Sequence, residues 1–83
     1  MNESHRMNDN EICISLGTRV RALRLAKGWS QEELGARSNL DRTYVSGIER
    51  GVRNPTVTVL HALSEGLGIG ISDLFADANE IAK

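Results

Sequence analysis

The chain has 83 residues, of which 40% are hydrophobic and 25% charged, a length that supports one small domain. Its single cysteine excludes an internal disulfide, and no apolar run approaches the roughly 20 residues that span a bilayer. The formal net charge of −1 conceals a basic centre: positions 17–55 carry eight basic and four acidic side chains, a balance of +4, and both flanks are acidic. Such a distribution is typical of a protein that contacts a polyanion with one face.

Composition divides the chain into three stretches. Positions 1–10 are polar and have no apolar period, which predicts a flexible N-terminal arm. Positions 11–79 hold apolar side chains at helical spacing without strand-like alternation, which predicts one compact all-α domain of five short helices. Positions 80–83 are expected to form a frayed tail.

The first two predicted helices follow from apolar spacing and from a capping motif. Apolar side chains recur at intervals of three to four from Ile12, which predicts a helix that ends near Lys27. Ser30 and Glu33 then have the spacing of a capping box, in which the hydroxyl accepts from a backbone N–H and the glutamate bonds back. The second helix is therefore expected at 31–37.

The third predicted helix follows a short turn within the basic centre. Asp41 is expected to cap a helix over about 42–50, which Gly51 ends. Two helices of roughly two turns, separated by about four residues, have the arrangement of a helix-turn-helix, whose second helix lies in the DNA major groove. The sequence therefore predicts that the third helix is a recognition helix.

Two more helices complete the predicted domain. Thr56 is expected to cap a fourth helix that continues through Leu67 and is stopped by Gly66 and Gly68. Ser72 is expected to cap a last short helix.

Four side chains on the recognition helix are candidates for contact with DNA bases. Arg42 has the reach and the planar fork for guanine O6 and N7, although its neighbour Asp41 could hold it in a surface ion pair. Thr43 offers a methyl or a hydroxyl group, and Ser46 shares the face of Arg42 one turn further on. Tyr44 could pack its ring on the scaffold or present its hydroxyl to DNA, and both alternatives stay open.

Other polar side chains beside these helices are candidates for phosphate contact. Gln31 begins the second helix, where free N–H groups and the helix dipole favour an anion, although it could equally be an ordinary solvated residue. Arg50, Arg53 and Asn54 follow the recognition helix and could hold phosphates, which fixes register without carrying sequence information. Glu49 is expected to pair with a nearby arginine rather than to face DNA.

Physical considerations favour a dimer. One recognition helix offers only a few base contacts, whereas two helices related by a two-fold axis contact half-sites about 34 Å apart. The C-terminal half holds more apolar side chains than a small core obviously needs, and it lies outside the basic centre. The predicted dimer surface consists of Leu67, Ile69, Ile71, Leu74 and Phe75. Closure of the monomer's own core is the alternative, foremost for Leu67 and Leu74.

Two other classes of function have less support. For an enzyme, His61 has no Cys or His at ligand spacing and Cys13 is more typical of a small buried hydrophobe. No catalytic residue, metal or cofactor is therefore expected. The glycine-rich segment 66–70 follows a helix rather than a strand, which does not match a nucleotide-binding loop. A protein-binding module, such as an antitoxin that contacts a toxin, stays open as a third hypothesis.

Three stretches carry a resemblance to a known family: GWSQEELGA at 28–36, SNLDRTYVSGIERG at 38–51 and RNPT at 53–56. Together they resemble the Cro/phage-repressor-like helix-turn-helix family, also called the Xre family, over about 16–75. The segment DRTYVSGIER followed by RN is most similar to the controller proteins of bacterial restriction-modification systems. The polar N-terminal arm and the glycine-rich 66–70 segment depart from the family pattern.

The resemblance implies a five-helix, symmetric homodimer that binds palindromic operator DNA. It implies base or groove contacts for Arg42, Thr43, Tyr44 and Ser46, and DNA-backbone contacts for Gln31, Arg50 and Asn54. Controllers bind tandem operators ahead of their own gene and the endonuclease gene, activating at low concentration and repressing at high concentration. The alternatives within the resemblance are a phage-type repressor and an antitoxin whose main partner is another protein.

The expected partners follow from this interpretation. They are operator duplex DNA and a second copy of the chain, with RNA polymerase as an open alternative and no membrane. The expected location is the bacterial cytoplasm, in association with the nucleoid through DNA binding.

Overall fold

A computed structural model describes residues 8–75, which form four α-helices followed by a short 3-10 helix. The elements are α1 (Asp9–Ala26), α2 (Gln31–Ser38), α3 (Arg42–Glu49), α4 (Val57–Leu67) and the terminal 3-10 helix (Ile71–Phe75). The predicted all-α class is confirmed, since this part of the chain contains no strand. The prediction of a fifth α-helix is wrong for these residues, because the last described element has the tighter 3-10 winding. No helix between residues 8 and 75 is both long and apolar enough to cross a membrane.

Helix α1 begins three residues before the predicted Ile12. Asn8 Oδ1 accepts from the backbone N–H of Glu11 at 2.8 Å, and Glu11 Oε1 accepts from the backbone N–H of Asn8 at 3.0 Å. This capping box starts the helix at Asp9. Residues 8–10 of the predicted arm therefore belong to the start of a helix. Residues 1–7 and the predicted tail lie outside the described residues.

The three other α-helices begin at the predicted caps. In each, a side-chain oxygen accepts from a first-turn backbone N–H: Ser30 from Glu33, Asp41 from Thr43 and Thr56 from Val59. The capping box at α2 differs from the prediction, because the Glu33 carboxylate accepts from Arg37 Nε at 2.7 Å, one turn further on. The hydrogen bond from the Thr43 backbone N–H lowers the pKa of Asp41, since it stabilises the ionised carboxylate.

The core of the described residues is aliphatic. Helix α3 packs against α1 and α2, α2 packs against α4, and the terminal 3-10 helix packs between α1 and α4. The fully enclosed apolar side chains come from every element: Leu16, Val20, Leu34, Val45, Ile48, Leu63, Leu67 and Leu74. The half-buried Trp29 and Tyr44 rings pack at the edge of this cluster.

Close helix packing requires glycine where α1 crosses α3. A Cβ atom at Gly17 would collide with the backbone oxygens of Ile48 and Glu49. Gly66 likewise lies against α2 and is an internal residue of α4, so its predicted role as a helix stop is wrong. Gly68 ends α4 as predicted, with a left-handed φ of 74°.

Candidate nucleic-acid interface

Helices α2 and α3 are joined by a tight turn at residues 39–41. Asn39 adopts the left-handed conformation with a φ of 57°, which a short polar side chain tolerates. The Leu40 backbone N–H donates to the Gly35 carbonyl at 2.8 Å and closes the end of α2. Since Asp41 then caps α3, the second helix starts in a defined orientation relative to the first.

Burial of one face of α3 determines which residues the other face presents. Val45 and Ile48 are enclosed in the core, whereas Arg42 and Thr43 in the first turn are exposed. The exposed residues are two of the four predicted base-contacting residues. The structure therefore brings an arginine and a threonine to the accessible N-terminal end of the predicted recognition helix, where such helices contact base edges.

The other two predicted base-contacting residues are half-buried. The Tyr44 ring packs against the core, which is one of the two alternatives predicted for this residue. Contact of its hydroxyl with DNA stays a prediction. The guanidinium of Arg53 lies 5.4 Å from the centroid of the Tyr44 ring, and the stem of Arg53 lies over Gly47. Ser46 Oγ accepts from Arg50 Nε at 3.4 Å, which is a long hydrogen bond.

The predicted phosphate-contacting residues lie at three places around α3. Arg50 and Asn54 are exposed at its end and in the following loop, whereas Arg53 is exposed but folded back along the helix. Gln31, the first residue of α2, is half-buried, and its Nε2 donates to Glu49 Oε1 at 3.0 Å. The interpretation of Gln31 as an ordinary solvated residue is therefore wrong. Its contact with phosphate stays a prediction.

An ion pair connects α1 to the end of α3. Arg24 Nε donates to Glu49 Oε2 at 2.6 Å, Arg24 Nη2 donates to Glu49 Oε1 at 2.9 Å, and the two side chains are 9% and 2% exposed. The hydrogen bond with Glu49 raises the pKa of Arg24 above its already high ordinary value. Glu49 therefore pairs with an arginine, as predicted, but the partner is Arg24 of α1 and not an arginine near it in sequence.

Sequence reasoning missed this role of Arg24 and counted the residue in the basic surface. The available signal was spacing, because Arg24 follows Leu16 and Val20 at intervals of four and so lies on the buried face of α1. Since the buried pair contains one charge of each sign, the other side chains of residues 17–55 keep the balance of +4. The electrostatic argument for a polyanionic partner is unchanged.

The predicted dimer surface is corrected for two of its five residues. Leu67 and Leu74 are 1% and 0% exposed within the core of their own chain, so neither side chain is available to a partner. Ile69 is half-buried against the core. Ile71 and Phe75, on the terminal 3-10 helix, are 37% and 52% exposed and stay candidates for the dimer surface.

A capped pair of short helices with an exposed, partly basic second helix is a helix-turn-helix, and comparison with known proteins agrees. The helix-turn-helix family model HTH_3 matches residues 20–74. Control protein C.MunI from a Mycoplasma species is 46% identical over 69 residues, covering 82% of this chain and 93% of that protein. Control protein C.BamHI from Bacillus amyloliquefaciens is 42% identical over 66 residues, covering 78% of this chain and 82% of that protein.

Solved structures extend the similarity to three dimensions. The restriction-modification controller protein C.AhdI from Aeromonas hydrophila has a TM-score of 0.75 and 46% identity, covering 76% of this chain and 96% of that chain. The family match covers more than half of the chain, and the similarity extends over most of C.AhdI. The chain belongs to the Xre-type helix-turn-helix family of DNA-binding transcription regulators.

Proposed function

We propose that this protein is a sequence-specific regulator that inserts α3 into the major groove of operator DNA. The observation that carries the proposal is the accessible first turn of α3, where Arg42 and Thr43 are exposed while Val45 and Ile48 anchor the opposite face in the core. A helix held in this way presents its side chains in a fixed geometry, so little order has to be acquired when DNA binds.

The proposed contacts divide into two groups. Arg42 contacts guanine O6 and N7, and the other base or groove contacts come from Thr43, Tyr44 and Ser46. The phosphate contacts come from Gln31, Arg50, Arg53 and Asn54. Arg53 is assigned to a phosphate in this proposal, and its guanidinium also lies over the Tyr44 ring, close to the recognition helix.

We further propose that the protein acts as a homodimer on palindromic operators. A single α3 has about two turns and offers few base contacts, and the exposed Ile71 and Phe75 supply apolar surface remote in sequence from α3. The similarity to control proteins C.MunI and C.BamHI supports the more specific role of a restriction-modification controller. In that role it activates and represses the promoters of its own gene and the endonuclease gene in the bacterial cytoplasm, with RNA polymerase as a partner.

Selection of random duplex DNA by the purified protein tests the proposal. At about 150 mM salt, non-specific electrostatic binding is weak while specific binding persists. The expected result is a two-fold symmetric motif with half-sites about one helical turn apart. Arg42→Ala is expected to abolish selection at one base pair of each half-site while the protein stays folded. Failure of the folded, dimeric protein to enrich any motif would contradict the proposal and favour a protein partner.

A further inference from the structure

A buried set of hydrogen bonds connects the helices around the candidate interface. The Glu49 carboxylate, at the end of α3, accepts from Arg24 of α1 through both oxygens, and its Oε1 also accepts from Gln31 Nε2. Arg24 Nη1 donates to the backbone carbonyl of Trp29 at 2.7 Å, two residues before Gln31. The start of α2 is therefore joined to the end of the recognition helix through Arg24 and Glu49.

Glu49 determines the orientation of the Gln31 amide. A carboxylate only accepts hydrogen bonds, so the NH2 group of Gln31, and not its carbonyl, must face Glu49. One N–H is satisfied within the protein, and the second N–H of the same group stays available to another acceptor. Because Glu49 is itself buried and held through both oxygens by Arg24, the acceptor that orients Gln31 has little freedom to move.

We propose that Glu49, held by Arg24, is a positioning residue that fixes the Gln31 amide for donation to a DNA phosphate. This inference rests on the proposed function, because the phosphate belongs to the operator. A glutamine side chain that is already ordered in the free protein loses less rotamer freedom on binding. This preorganisation corresponds to about a 2- to 10-fold gain in affinity.

Binding measurements on four proteins test the coupling between Glu49 and Gln31: wild type, Glu49→Asp, Gln31→Ala and the double variant. Aspartate keeps the charge beside Arg24, but its shorter side chain withdraws the acceptor from Gln31. We expect Glu49→Asp to bind the selected operator about 2- to 10-fold more weakly. In the Gln31→Ala background the same change should have no effect on the dissociation constant.

Arg42→Ala provides the control background. Arg42 lies outside the hydrogen-bonded set, so Glu49→Asp should retain its full effect there. If Glu49→Asp weakens binding equally with and without Gln31, Glu49 has only a structural role and the inference is overturned.

Neutral methylphosphonate linkages provide a readout that a general loss of structure does not produce. The linkage that weakens wild-type binding but leaves Gln31→Ala unaffected identifies the phosphate that Gln31 contacts. In Glu49→Asp the penalty at this linkage should shrink, while the penalties at phosphates contacted by other residues persist. An unchanged penalty at the Gln31 linkage would refute the positioning role.

NMR on the wild-type protein keeps the inference testable if the Glu49 variant does not fold. Gln31 is the only glutamine in the sequence, so its side-chain NH2 signals can be assigned without variants. An order parameter above about 0.6 in the free protein would match an ordered amide, whereas a lower value would overturn the inference.

The same experiments separate failure of this inference from failure of the proposed function. If the wild-type protein selects no DNA motif, both this inference and the proposed function are refuted. If it selects a motif and Gln31→Ala binds that motif as tightly as wild type, the positioning role and the phosphate contact of Gln31 are refuted, while the role as a sequence-specific regulator stands.

Discussion

Removal of the arginine from the buried ion pair should strongly destabilise the fold. Methionine in Arg24→Met retains the unbranched stem of the side chain, but it removes the guanidinium and its three hydrogen bonds, two to Glu49 and one to the Trp29 carbonyl. The Glu49 side chain is 2% exposed, so water does not replace the lost donors. In Arg24→Met, Glu49 still accepts the hydrogen bond from the Gln31 amide.

The expected loss in the free energy of unfolding is about 3–5 kcal/mol, the usual effect of leaving one member of a buried pair without its partner. At roughly 0.05–0.15 kcal/mol per residue, a chain of 83 residues has a total stability of about 4–12 kcal/mol, so the loss is a large fraction. Replacement of both residues, in Arg24→Met/Glu49→Leu, should recover most of it, because neither charge is then buried. This double variant should fold but bind DNA weakly, since Gln31 has lost its acceptor.

Urea denaturation followed by circular dichroism measures the effect as a lower midpoint at an unchanged slope. Arg21→Met is the matched control, because Arg21 is an exposed arginine on the same helix and its replacement should change stability by less than about 0.5 kcal/mol. A loss below about 1 kcal/mol in Arg24→Met would refute the reasoning. So would a double variant as unstable as the single one.

Four further predictions concern the packing, the cap and the DNA contacts. Gly17→Ala should cost at least about 1–3 kcal/mol in urea denaturation, because its Cβ has no space, whereas Gly70→Ala, whose Cβ would make an ordinary contact with Asp73 Oδ2 at 3.5 Å, should cost far less. The lowered pKa of Asp41 adds stability at neutral pH that is lost as pH falls below 3.8, so the difference in melting temperature between wild type and Asp41→Asn should shrink there. A difference that persists at lower pH would contradict this. Arg42→Ala should cost about 1–3 kcal/mol on the preferred sequence only. Arg50→Ala should weaken binding to all sequences and reduce the slope of log K against log salt concentration by about 0.9 for each subunit of the bound dimer.

Local features of the fold could be predicted because they depend on neighbours in sequence. The caps at Ser30, Asp41 and Thr56 are hydrogen bonds to backbone N–H groups two or three residues away, so the residue type and its spacing suffice. The same locality explains why Arg42 and Thr43 were assigned to the exposed first turn of α3. The Asn8 cap follows the same rule, but the polar composition of the first ten residues predicts an arm instead.

The sequence by itself therefore determined the helical class, the helix-turn-helix and the exposure of Arg42 and Thr43 in the first turn of α3. The tertiary structure decided the features that depend on distant parts of the chain. Leu67 and Leu74 are core residues because the ends of the domain fold against each other. Their apolar character alone does not show whether they lie in the core or on a dimer surface. Arg24 and Glu49 are 25 positions apart, and only the crossing of α1 and α3 excludes water and turns two surface-type charges into a buried ion pair.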